Sequence, residues 1–224
     1  MQNSKTRIAS LALGAVVCLM AFSSCLKYGD DTIVLPQPTG KIPPSVIPTD
    51  LQDSLIHHDF PIHEGVEPPD VEGTYLISEN KLIYASDEYQ NNFVDITIQF
   101  SNQIPRGVLF YQESQTEEHS SHLTGTSIEA GIIGEGNDFT MYCYQLVRVF
   151  NPITGKLSYE CKQATAVSGT ISSLGIYGCR YAYIMLDKKM YDDYYIWRVP
   201  PTDTYRTFRD GDGLAARLSP WPNP

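Results

Sequence analysis

The stretch FVDITIQF, residues 93–100, alternates with period two. Val94, Ile96, Ile98 and Phe100 fall on one side, and Phe93, Asp95, Thr97 and Gln99 on the other. Period two is the period of a strand, and an apolar side facing a largely polar one is the pattern of a strand half-buried in an antiparallel sheet. The same grammar of β-branched and aromatic runs recurs at residues 74–78, 81–85, 107–113, 126–133, 139–150, 157–167, 176–186, 194–199, 205–209 and 214–218. SNQIP, GEGND, NPITG and DGDG carry the glycine, proline, asparagine and aspartate that close such runs with turns. No long helical stripe competes. The expected fold class is therefore all-β, either a closed or nearly closed antiparallel β-barrel or a β-sandwich.

The hairpin around NPITG bears on the cysteines. Cys143 lies eight residues before Asn151, and Cys161 six after Gly155. A turn centred near Ile153 brings them almost opposite one another. Phe139, Met141, Cys143, Val147 and Val149 alternate on one strand, and Leu157, Tyr159, Cys161 and Val167 on the other. A Cys143–Cys161 disulfide is a candidate if the register closes a two-residue offset; three buried thiols, with Cys179 among them, are the alternative. CxxC spacing of a redox or zinc motif is absent.

Ahead of the strand-rich region the chain has a different character. Lys5 and Arg7 precede residues 8–22, IASLALGAVVCLMAF, which carry no charge. That is the length and polarity of a secretory signal, and it is short for a span of about 20 residues across a bilayer. Ser23 and Ser24 then lead into Cys25, which resembles the lipobox of bacterial lipoproteins. The resemblance implies cleavage after residue 24 and acylation of the Cys25 thiol, and several acyl chains bind a membrane firmly. The following LKYGDD resembles the short lysine-and-acid signal that sends Bacteroidetes lipoproteins to the outer face of the outer membrane. Cell-surface display is thus expected over the periplasmic face.

Prolines 36, 38, 43, 44 and 48 dominate the next segment. Proline fixes φ and withholds a backbone donor, so residues 25–59 read as a lipidated cysteine followed by a Pro-rich linker. In extended polyproline form the 34 residues from Leu26 to Asp59 reach up to ~100 Å. Thr49 and Gln52 have capping-box spacing ahead of Leu51, Leu55 and Ile56, so one short helix is expected inside it. The domain organisation is then 1–24 signal peptide, 25–59 linker and 60–224 β-domain. Removing residues 1–24 takes away Lys5 and Arg7 and no acid, which moves the net charge from −10 to −12. An acidic chain disfavours nucleic acid and anionic lipid as partners. The expected membrane contact is the acyl chains on Cys25.

Within the β-domain, FPIHEGVEPPDVEGTYLIS (60–78), VSGTISSLGIYGCRYAYIMLDK (167–188) and FRDGDGLA (208–215) are similar to segments of an uncharacterised family of Bacteroidetes outer-membrane lipoproteins. The resemblance implies a lipocalin-like β-barrel and no particular chemistry. Gly73 to Tyr75 also resembles the glycine-x-tryptophan that opens the first lipocalin strand, with tyrosine in place of tryptophan.

Residues that could carry chemistry are few. GTSIE around Ser127 lacks the second glycine of a nucleophile elbow. His119 and His122, beside Glu117 and Glu118, form a weak metal candidate set, better read as a solvated loop. Asp210 and Asp212 in RDGDG resemble the start of a calcium loop, but Leu214, Ala215 and Ala216 follow where further oxygen donors would stand. Tyr191, Tyr194, Tyr195 and Trp197 in MYDDYYIWRV form a candidate ligand platform, with one of Tyr194 and Tyr195 pointing outward. No catalytic constellation and no cofactor are expected. The chain reads as a membrane-anchored lipoprotein with a non-catalytic binding domain for a glycan, lipid or protein. A structural or accessory component of an envelope complex is the alternative, and a hydrolase the third reading.

Overall fold

A computed structural model gives the protein's structure and describes residues 39–90, 93–104, 108–115, 122–196 and 199–218, with the backbone alone at 108, 110, 122, 128 and 129. Among the described residues one helix, α1 (Thr49–His57), precedes ten strands: β1 (Gly73–Ile77), β2 (Lys81–Ala85), β3 (Ile96–Ile104), β4 (Val108–Gln115), β5 (His122–Glu135), β6 (Asp138–Phe150), β7 (Leu157–Ile171), β8 (Gly175–Met190), β9 (Tyr205–Arg209) and β10 (Leu214–Leu218). Every strand pairing is antiparallel. β1, β3, β4, β5, β6, β7, β8 and β10 pair in that order, and β10 pairs again with β1. Eight strands therefore close into a barrel-like ring, whose interior is wide enough for side chains or one small ligand.

The second edge of β8 is shared, which gives the ring its asymmetry. Gly175, Ile176 and Tyr177 pair with β10, whereas Arg180 to Ile184 pair with β9, which in turn carries β2. At the seam Gly175 has φ +149°, and a Cβ there would stand 2.2 Å from the Ala215 carbonyl oxygen. Only glycine lets the two backbones come that close. Beyond the seam, the β9–β2 ribbon continues the wall.

Interior side chains follow the strand alternation. At the end carrying the β5–β6 and β7–β8 turns, Tyr75, Ile98, Phe100, Phe139, Ile176 and Ala215 belong to a filled apolar core. At the end carrying the β6–β7 turn, Val147, Val149, Cys161, Met185 and Tyr195 form a separate cluster. A third cluster lies on the outside of the barrel. There Ile42, Val46, Ile47, Leu55 and Phe60 pack against Ile133, Tyr142, Ala164, Ala166, Ala182 and Ile184. Ala166 is the cross-strand neighbour of both Tyr142 and Ala182, so a patch of small residues forms a seat for the covering segment.

This cladding corrects the expected spacer. From Thr39 to Asp59 the chain is part of the folded body, with Ile42, Val46, Ile47 and Leu55 all at most 2% exposed. Its prolines do not leave it solvated because the β-branched residues between them bury against the sheet. The helix is where the sequence places it, but no side chain caps it: Pro48 is the N-cap. The Gln52 amide instead donates to the Ile47 and Ile42 carbonyls, at 2.7 and 3.1 Å, pinning the preceding turn.

Of the two cysteine readings, the three buried thiols stand and the disulfide does not; one expected strand also fails. Cys143 stands opposite Thr165, and Cys161 opposite Val147. The two cysteines are thus four residues out of step, ~13 Å along the ladder, because the strands pair about a point beyond Ile153. Cys143, Cys161 and Cys179 are all buried free thiols. Of the strand expected at 194–199, the described residues 194–196 and 199 are not in a strand. β8 ends at Met190, and Asp192 accepts the Tyr194 backbone N–H at 3.0 Å, turning the chain.

Candidate functional site

Leu109, Tyr111, Glu113 and Gln115 share one face of β4 by alternation. Leu109 and Tyr111 enter the core, and the same phase carries Glu113 inside, where it is 3% exposed. The Tyr111 hydroxyl donates to Glu113 Oε2 at 2.8 Å, and the Tyr181 hydroxyl, from β8, donates to Oε1 at 3.2 Å. The Gln145 side chain, from β6, is also in hydrogen-bond reach of the carboxyl, and its Nε2 donates to Thr165 Oγ1 of β7 at 2.7 Å. These groups make a polar belt across an otherwise apolar interior. Gly125 of β5 is the cross-strand neighbour of Glu113. A Cβ at Gly125 would lie 2.7 Å from Gln145 Oε1 and 2.8 Å from Glu113 Cγ, so the belt needs the missing side chain.

Burial raises the Glu113 carboxyl above its ordinary range, and the hydrogen bonds from Tyr111, Tyr181 and Gln145 offset part of the rise. Burial, reinforced by the Glu113 charge, pushes Tyr111, Tyr181 and the Cys143 thiol well above their ordinary values. Glu113 is therefore the first member of this group to lose its proton as pH rises. A thiol held protonated beside it is no nucleophile, so the belt is built to hold and orient hydrogen bonds.

Above the belt lies a cavity of about 210 Å³ whose wall includes Glu113, Tyr159, Tyr181, Tyr183, Phe93 and Arg206. Arg206, from β9, is 2% exposed. Its Nε and Nη2 both donate to Asp87, one to each carboxylate oxygen. Burial alone would raise the Asp87 carboxyl, but the Arg206 hydrogen bonds and charge outweigh it and hold it below the ordinary range. The guanidinium also lies over the Tyr89 ring at 4.2 Å and near Phe93 at 5.7 Å. Two buried acceptors, Asn80 Oδ1 in the cavity wall and Gln145 Oε1 in the belt, have no hydrogen-bond partner among the described residues.

No protein-family model, characterised protein or solved structure matches this chain. The site therefore has to be read from its own geometry.

The residues singled out in the sequence are scattered by the fold. Tyr195 is buried in the upper cluster and lines the cavity, while Tyr191 and Tyr194 are exposed on the turn after β8. Tyr194 and Tyr195 split outward and inward as expected, their rings meeting edge to face at 4.8 Å; Trp197, the remaining member of the candidate platform, lies outside the described residues. Asp210 is buried, and its Oδ1 accepts the backbone N–H groups of Asp212, Gly213 and Leu214 while Oδ2 accepts that of Ser78. It ties the β9–β10 turn to the end of β1. Ser127 Oγ donates to the Tyr111 carbonyl and accepts its N–H, both at 3.0 Å, filling an irregularity between β4 and β5. Cys25, His119 and the side chain of His122 lie outside what the structure describes. A second groove, about 810 Å³ and open to solvent, runs beside β2 along Lys81, Tyr84, Glu88 and Arg209. Its lining groups are solvated, whereas the interior cavity holds a buried carboxyl, so the interior is the stronger candidate site.

Glu113, Gln145 and Arg206 carry the site, and none was singled out in the sequence. Their signal is phase: each is a polar residue at a position where alternation demands an apolar one.

Proposed function

We propose that this protein is a lipid-anchored envelope lipoprotein, of the Bacteroidetes outer-membrane type, whose β-domain binds a small ligand inside the barrel. The observation that carries the binding half is the buried Glu113 carboxyl facing a cavity of about 210 Å³. A buried carboxyl that has hydrogen bonds but no cationic partner still costs free energy that a well-packed apolar residue would not. A ligand that meets it offsets that cost. The anchor half rests on the sequence around Cys25. Thirteen residues, 26–38, separate that cysteine from the clad barrel, a reach of at most ~45 Å when fully extended. The proposed cell-surface anchor thus lies within that length of chain from the first described residue, Thr39.

Two measurements on the native protein test this reading. Labelled palmitate should enter the wild-type chain and not Cys25→Ala, which should leave the membrane fraction. Native mass spectrometry of the purified protein should show a bound small molecule lost on denaturation. Retention of Cys25→Ala in the membrane would overturn the anchor. A second reading, docking to a partner in an envelope complex, is favoured by Ile153, Tyr191 and Tyr194, which are 78%, 46% and 45% exposed. They lie on neighbouring turns joined by the Asn151–Asp192 hydrogen bond.

A further inference from the structure

Hydrogen-bond supply in and around the cavity is lopsided. Glu113 offers a carboxyl, and Asn80 Oδ1 and Gln145 Oε1 are buried acceptors without a partner among the described residues. The charge is lopsided in the same sense. Arg206 is the one cationic side chain in the described wall, and both its Nε and its Nη2 are engaged by Asp87. That pair is neutral as a unit, so an ionised Glu113 faces the cavity uncompensated. Such a site is complementary to a ligand rich in donors and carrying one positive charge.

The walls agree with this. Tyr159, Tyr181, Tyr183, Tyr195, Phe93 and Phe208 line the cavity, and aromatic faces attract cations. Arg206, stacked over Tyr89, shows that part of this wall already holds a cation in that way. Size narrows the class further. An engineered apolar cavity of about 150 Å³ holds benzene, so about 210 Å³ fits one ring with a short polar arm. A carboxylate or phosphate ligand would meet Glu113 and find Arg206 already paired.

We propose that the barrel cavity binds a small organic amine as its cation, a ring-sized body against the tyrosine and phenylalanine wall and the ammonium on the Glu113 carboxylate. This rests on the reading of the barrel interior as a ligand site. The Tyr111 and Tyr181 hydroxyls hold the carboxylate in place, and Asn80 Oδ1 adds an open acceptor to the wall.

Titration calorimetry on the purified full-length protein, with benzylamine, benzyl alcohol and benzoate as isosteric probes, tests the inference. Benzylamine should bind with 1:1 stoichiometry and on the order of tenfold tighter than benzyl alcohol, which brings a donor but no positive charge to the carboxylate. Benzoate should be weakest. Glu113→Gln should bring benzylamine down to the level of benzyl alcohol measured on the same variant. Benzyl alcohol binding as tightly as benzylamine would overturn the amine assignment while the interior ligand site stands. Failure of all three probes at millimolar concentration would overturn both. Should Glu113→Gln fail to fold, the wild-type pH series decides. Benzylamine affinity should rise tenfold per pH unit while Glu113 is protonated and then level off, with benzyl alcohol changing far less. The titratable groups facing Glu113 are Tyr111 on its own strand, Cys143 on β6, Cys161 on β7 and Tyr181 on β8, and burial pushes each of them up and away from this range. A benzylamine affinity that does not change between pH 4 and pH 8 would overturn the proposal.

Discussion

The two ends of the barrel interior are built on the same strands, with the same alternation, to opposite effect. At the β5–β6 end the inward positions are mostly aliphatic and aromatic, and Phe100 alone meets Tyr75, Tyr111 and Phe139 with ring centroids 5.6–6.0 Å apart. At the other end the inward positions of β4, β6, β7 and β9 include Glu113, Gln145, Gln163 and Arg206, all buried. Filling an interior with apolar groups gains transfer free energy and close contacts. Burying a carboxyl, two carboxamides and a guanidinium costs desolvation that their mutual hydrogen bonds only partly return. Stability is therefore concentrated at the filled end, and the capacity to recognise a ligand at the other. The largest test of that contrast is Phe100→Ala, which should destabilise the protein by about 4 kcal/mol in chemical denaturation. Phe93→Ala, in the cavity wall, should cost markedly less. Equal losses would mean that the cavity end is packed as tightly as the core.

The outer cladding sharpens the same comparison, because it covers the barrel from outside at the level of Tyr142, Ala166 and Ala182. Leu55 of α1 is fully buried there, and Leu55→Ala should cost about 3 kcal/mol. The variant and the wild type should each unfold in one transition, with tryptophan and tyrosine fluorescence and far-ultraviolet circular dichroism coinciding. Separate melting of residues 39–60 ahead of the barrel would return that segment to the status of a linker.

A smaller and pH-dependent effect belongs to Glu113. Burial raises its carboxyl above the ordinary value of 4.5, so between that value and the folded one the native state holds a proton that the unfolded state has lost. Native stability should therefore fall as pH rises through this window, by about 1.4 kcal/mol for each pH unit. Below pH 4.5 both states are protonated and the effect vanishes. Glu113→Gln carries no such proton, and its stability should lack this decline. Parallel pH profiles for the two proteins would show that the carboxyl is solvated rather than enclosed.

Much of the barrel was legible because alternation is a local property. β2, β9 and β10 begin and end where the sequence places them, and Ile96, Ile98 and Phe100 face inward as their phase requires. The long strands extend past their expected ends, β8 to Met190 and β7 to Ile171. Pairing on both edges holds polar ends that propensity alone would release. Cladding was illegible for a non-local reason: nothing in Ile42 to Leu55 announces that its partner is Ala164, Ala166 and Ala182, more than a hundred residues away. The ring itself, closed by three residue pairs between β8 and β10, is equally non-local. For the site, the signal was present but runs against habit. A glutamate in FYQESQ reads as solvent-facing until its phase with Leu109 and Tyr111 is followed, and Gln145 likewise falls in step with Met141, Cys143 and Val147. Tyr194 to Val199 misled in the other direction, since its aromatic content suits a strand while Asp192 and Asp193 draw the backbone into turns.

The smallest expected effect comes from the thiols, and it probes both ends at once. A Cys143–Cys161 bond would contribute ~2–4 kcal/mol, so reductant should change stability by less than ~0.5 kcal/mol if the four-residue offset holds. Burial pushes Cys161 up to about 12 and Cys143 well above its ordinary 9.0. Neither thiol reacts as a thiolate in the native state, and labelling reports opening. Cys143 belongs to the filled core and Cys161 to the small cluster at the cavity end. Local opening is easier where fewer apolar groups are buried together, so iodoacetamide should label Cys161 a few-fold faster than Cys143 under native conditions. Under denaturant near the midpoint the two rates should converge, since both then follow global unfolding. Cys143 labelling first would place the weak end of the barrel at its core and remove the contrast between the two halves.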